Sequence, residues 1–113
     1  MQIEVTVLIQ GKAVFPNTAV CRVEVQDVTY LDAPSKTLSS YEGTVIGIVE
    51  KKVLTTMIEV LDQEMINLSL NVWAHLSMTG VPQINHGDYL TTVAYPLTQG
   101  VGMHKMVVEL SRI

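Results

Sequence analysis

From residue 67 to residue 78 the chain alternates without a fault. Leu68, Leu70, Val72, Ala74, Leu76 and Met78 form one row, and Asn67, Ser69, Asn71, Trp73, His75 and Ser77 form the other. A side-chain period of two fits a pleated strand that buries one face. It does not line up one face of a helix, whose period is 3.6 residues. The same cadence opens the chain, where Ile3, Val5, Val7 and Ile9 alternate with Glu4, Thr6 and Gln10, and Leu8 is the apolar outlier on the wet row. It returns in Cys21, Val23 and Val25 against Arg22, Glu24 and Gln26. Rows of this kind are buried by packing sheet on sheet or by curling one sheet on itself.

The segments between these strands carry turn chemistry. Gly11-Lys12 predicts a turn, and Phe15-Pro16-Asn17 a second irregularity. Residues 38–49, broken by Gly43 and Gly47, predict a short irregular strand, and residues 53–60 a further one. Residues 61–67 have the character of one helical turn, too short to be stable alone. Thr79-Gly80-Val81-Pro82 and Asn85-His86-Gly87-Asp88 read as turns. Residues 89–95 predict a strand that stops at Pro96. Residues 103–113 predict the last one, after Gly100-Val101-Gly102, with Met106, Val108 and Leu110 on its inner row. About seven short strands predict an all-β fold, an antiparallel β-sandwich or a partly closed barrel. Residues 1–113 are expected to form a single domain.

Asp27 breaks the second strand's rhythm. Simple continuation would turn Asp27 inward and Val28 outward. One extra residue near Gln26-Asp27 would return Val28 and Tyr30 to the core and leave the Asp27 carboxylate to accept hydrogen bonds at the bend. Asp27 is thus expected to be structural. Pro34 then ends the strand, because proline cannot donate to a ladder.

Composition narrows the function. Seven basic residues stand against 11 acidic ones, and no basic cluster exceeds Lys51-Lys52, so a nucleic-acid surface is excluded. The single cysteine, Cys21, rules out an internal disulfide and a thiolate zinc site, and its place in an apolar run predicts a buried thiol. No apolar stretch approaches the ~18 residues of a transmembrane segment. The N-terminus shows neither a basic leader nor a small-residue cleavage site, so the chain as written is expected in the cytoplasm, or in the periplasm or outer membrane if a leader precedes Met1.

Two stretches, "AVCRVEVQDVTYLDAPSKTL" (19–38) and "GDYLTTVAYPLTQG" (87–100), resemble the YbaY/YscW-like family of small bacterial lipoproteins, which includes type III secretion pilotins. Gln26, Asp27, Val28 and Thr29 match that family's first step, and Leu31, Asp32, Ala33 and Pro34 match its second in three of four positions. Thr91, Thr92, Tyr95 and Pro96 match its closing segment, which marks Tyr95 and Pro96 as structural; residues 40–66 depart from the pattern. The resemblance implies a small β-sandwich with no known enzymatic activity and no cofactor, either of unknown role or acting as a chaperone-like binder of an outer-membrane partner.

The side chains themselves point the same way. There is no GxSxG elbow, no phosphate-binding glycine loop and no HxxxH spacing. Trp73, on the polar row with Asn71 and His75, predicts either an interaction face, which Tyr89 on a neighbouring strand extends if exposed, or a row covered by a neighbouring loop or second sheet in which the indole finishes the core. Covering an indole there would gain on the order of 4 to 6 kcal/mol at most. The expected partner is a protein or peptide, including a second copy of the chain, held on the Trp73 face or on a free strand edge. The alternative is a small-ligand or metal site built from His86, Asp88 and His104.

Overall fold

The computed structural model describes residues 1–29, 34–61, 68–97 and 103–113. Within them run β1 (Gln2–Phe15), β2 (Val20–Asp27), β3 (Lys36–Thr44), β4 (Gly47–Glu59), β5 (Leu70–Ser77), β6 (Tyr89–Leu90), β7 (Pro96–Leu97) and β8 (Met103–Arg112). They form one sheet in the order β3-β2-β5-β6-β8-β1-β4, with β7 also on β5, and the sheet curls into a half-barrel. The fold is all-β, in its barrel-like form. The inner rows read from the sequence close the core: Ile3, Val5 and Val7, then Cys21, Val23 and Val25, then Val72, Ala74 and Leu76, with Val108 from β8, are all at 0% exposure. A valine, leucine or isoleucine buried so completely contributes roughly 1.5–3 kcal/mol. Burial also pushes the Cys21 thiol up to about 12, which keeps it protonated and unreactive.

The pairing is mixed rather than wholly antiparallel. β1 and β8 run parallel from Gln2↔Met103 to Ile9↔Leu110. A parallel pair needs a long connection, and here the rest of the chain supplies it.

Gly11-Lys12 is not a turn. β1 passes straight through it, pairing Leu8 with Lys52 and then Lys12 with Glu50 on β4, so that residues 9–11 face Lys51 alone. Gly11 at φ 73° and Lys51 at φ 63° take up this mismatch in left-handed conformations, which suit glycine and cost lysine roughly 1–2 kcal/mol. Both a turn and a bulge ask for the same backbone, and local sequence does not separate them.

Residues 38–60 also differ from expectation. β3 and β4 are long, and the strand expected at 53–60 is the second half of β4. Only Val45 and Ile46 connect them, yet they lie at opposite ends of the sheet order, β3 on β2 and β4 on β1. Val45 is buried and its N–H donates to the Ala19 carbonyl at 3.0 Å, tying the link beneath the core.

The extra residue expected near Gln26-Asp27 sits on the partner strand. β2 keeps its register against β5 through Asp27↔Leu70, whereas against β3 it jumps from Val25↔Ser39 to Gln26↔Thr37, leaving Leu38 unmatched. Asp27 therefore stays on the inner row, half-buried at the strand's end, where its Oδ1 accepts the Thr29 N–H at 2.9 Å and the Thr29 hydroxyl. Those two bonds, that from the hydroxyl foremost, hold the Asp27 carboxyl below its ordinary value.

Residues 89–95 do not form one strand. β6 stops at Leu90, and β7 begins at Pro96, the residue expected to end a strand. His75↔Leu90 and Asn71↔Pro96 fix both ends, so residues 91–95 face only residues 72–74, and the two surplus residues arch outward with Thr92, Val93 and Ala94 exposed. Proline is tolerated at the first position of a strand. Tyr30, Leu31, the Asp32-Ala33 step, the helical turn at 62–67 and Gly100-Val101-Gly102 lie outside the described residues.

Candidate interaction surface

β5 places Trp73 and His75 side by side on the outer face, ring centroids 5.9 Å apart. Trp73 is half-buried, but His75, expected beside it on the wet surface, is only 2% exposed. Residues 78–88 fold back over it. Asp88, 1% exposed, accepts from the Met78 N–H and the Asn85 N–H, each at 3.0 Å, and lies 2.9 Å from His75 Nε2. Thr18 Oγ1 donates to the Met78 carbonyl at 2.8 Å, and Gly80 fits at φ 84° where an added Cβ would stand 2.8 Å from the Thr18 carbonyl oxygen. Burial pushes the Asp88 carboxyl up, but the Met78 N–H, His75 and the Asn85 N–H pull it further down, and it ends below its ordinary value.

That arrangement does not bring His86, Asp88 and His104 together. Asp88 is committed to His75, a residue absent from the expected set, while His86 is exposed in the turn. The Asp88 carbonyl accepts the Ile113 N–H at 2.9 Å, which places it beyond the C-terminal end of β8. His104 stands at the other end of β8, about 30 Å away at the strand rise of ~3.3 Å per residue. Among the described residues no three His, Cys, Asp or Glu side chains gather as a ligand set. His104 instead pairs in register with Ile3, and its Nε2 is shielded from solvent without a hydrogen-bond partner among the described residues.

Asn71, expected as a contact residue, is used internally. Its Oδ1 accepts the Tyr95 N–H at 2.7 Å and closes the arch at 91–95. The Tyr95 hydroxyl then reaches β8, accepting the Glu109 N–H at 2.9 Å and donating to the Glu109 carbonyl at 3.4 Å. It occupies a ladder position that no residue of β6 or β7 reaches. Tyr89 lies opposite Leu76 of the inner row, so its half-buried ring turns toward the core, edge-on to Phe15 at 5.6 Å, and does not extend the Trp73 face.

What stays open is the rim of the sheet. β3 and β4 end the strand order, and neither carries a second neighbour among the described residues. Met1 and Val60 exchange both backbone bonds at 2.9 Å, so in the unbroken register Leu54, Thr56 and Ile58 face β1 while Thr55 and Met57 turn their N–H and C=O outward. By the same alternation Ser40 and Glu42 face outward on β3, whose partner β2 sends the Val28 N–H to Ser69 beside β5. Past the bulge, β1 and β4 continue as a two-stranded ribbon on which Val14 and Ile48 lie directly opposite, both 69% exposed, with Ile46 at 64%. Sequence reading missed this patch. Its one local signal is Ile46 and Ile48 on either side of Gly47.

No helix among the described residues is long and apolar enough to cross a membrane. The chain matches no protein-family model and no curated protein. Among solved structures it is similar to an alternative pilotin from the type II secretion system of Vibrio cholerae. The two share 17% identity over 99% of this chain and 97% of that one, with a TM-score of 0.74. The fold is therefore pilotin-like.

Proposed function

We propose that the chain is a non-enzymatic, chaperone-like module that holds a segment of a protein partner by strand addition to the open rim of its half-barrel. The observation that carries this reading is that, among the described residues, β3 and β4 end the strand order with outward-facing backbone groups. An unpaired edge is a template for another strand, supplying affinity through the main chain. The pilotin-like fold supports a secretion-system component as partner and an envelope location, and the motifs at 26–34 and 91–96 support membership of the YbaY/YscW-like family. Trp73 adds apolar contact for side chains of the bound segment.

A second copy of the chain is the other partner with support, because Val14 and Ile48 form an exposed apolar pair. Crosslinking in producing cells tests the edge directly. Met57→Pro and Ser40→Pro each remove one outward N–H without breaking a ladder bond to β1 or β2. A partner that crosslinks to the wild type and is lost from either variant, with circular dichroism unchanged, supports the reading. Equal crosslinking to all three chains sinks it.

A further inference from the structure

The geometry points to a second binding site, a slot for the free carboxyl end of an extended peptide, at the fork where β1 leaves β8. The register between these strands ends at Ile9↔Leu110. β1 then bends through Gly11 and pairs with β4 alone from Lys12 to Phe15, while β8 continues to Arg112 against β6. The sheet splits along this line. A groove of about 350 Å³ opens in the split, lined by Gln10, Tyr89, Glu109, Leu110, Ser111 and Arg112. That volume lies at the lower end of the range of specific ligand sites, roughly 300–1,000 Å³.

Two features select the ligand. Glu109 bonds Tyr95 and Ile113 bonds Asp88, both on the side away from β1, so strand alternation turns the N–H and C=O of Arg112 toward the groove. A strand entering from the ribbon side therefore meets main-chain partners. The polar side chains there, Gln10, Ser111 and Arg112, make no hydrogen bond or ion pair with another described residue, in contrast to Arg22, which is held by Glu42 at 3.0 Å. Arg112 is the cation of the groove, and a guanidinium takes a carboxylate in two parallel bonds. Glu109, on the opposite face of β8 from Arg112, stands where Leu8 of β1 still pairs with it, so the bound chain ends short of it. An extended chain ending in a carboxylate satisfies edge and cation together. The site is separate from the β3 and β4 rims and does not depend on them.

Randomised heptapeptides displayed with free carboxyl ends, panned against the full chain, test the assignment. Selected peptides are expected to shift the backbone amide resonances of residues 10–14 and 111–113. Amidating the peptide carboxyl or introducing Arg112→Gln is expected to weaken binding at least tenfold, with Arg112→Lys recovering part of the loss. Peptides that bind amidated and free forms equally, that perturb only β3 and β4, or a library that yields no enrichment over R112Q, would each overturn it. Met57→Pro separates the two sites, since it is expected to leave this binding unchanged.

Discussion

β5 and the β1/β4 ribbon begin from similar material and meet opposite fates. On β5 a histidine of the polar row is 2% exposed, while on the ribbon a valine and an isoleucine are each 69% exposed. Side-chain polarity alone predicts the reverse. The difference is what lies above each surface. Residues 78–88 return over β5 and bring a carboxylate that meets His75 and two backbone N–H groups, so burial there leaves no bond unmade. The ribbon has run past the end of its register with β8, and no described element covers it. One surface is roofed and internally satisfied. The other is left exposed.

The largest way to break this contrast is to remove the roof's anchor. Asp88→Ala strands His75 Nε2 and the Met78 and Asn85 N–H groups in the interior and is expected to cost about 3–5 kcal/mol in urea unfolding. A loss below about 1 kcal/mol would mean the turn holds without it. Acid sharpens the same point more gently. The folded Asp88 carboxyl titrates below its ordinary value, so the folded state binds fewer protons than the unfolded chain. Its stabilisation is present above the unfolded value near ~3.9 and fades as pH falls through the folded one. Urea midpoints measured from pH 7 down to pH 2.5 should drop less steeply in Asp88→Asn than in the wild type, and parallel curves would count against the pair. The smallest effect belongs to the ribbon. Ile48→Thr removes exposed apolar surface and should change stability by no more than about 0.5 kcal/mol. Its expected signature is lower self-association in sedimentation, and a loss of several kcal/mol would show the ribbon to be packed after all.

The core was legible because a period-two row needs only local information. Val5, Val23, Val72 and Val108 could be assigned inward from their neighbours alone. Gly11 and Pro96 were each marked as irregular and given the wrong geometry, whereas at Gln26-Asp27 the bulge and the hydrogen bonds to the Asp27 carboxylate were foreseen and only the strand carrying the extra residue differs. An extra residue can sit on either strand of a pair, and a left-handed glycine serves a bulge as well as a turn. The rim and the ribbon patch were out of reach, since exposure of Val14 and Ile48 depends on where β8 stops beside them.

By itself the sequence determined that this chain folds as strands, which row of β1, β2, β5 and β8 faces inward, and that Cys21 would be a buried thiol. Those follow from side-chain alternation and apolar content, properties carried by adjacent residues. Strand order, the parallel union of first and last strands, the burial of His75 against Asp88 and the open rim were decided only in three dimensions. Each joins residues far apart in the chain, and no local pattern records which distant backbone will arrive to complete a hydrogen bond.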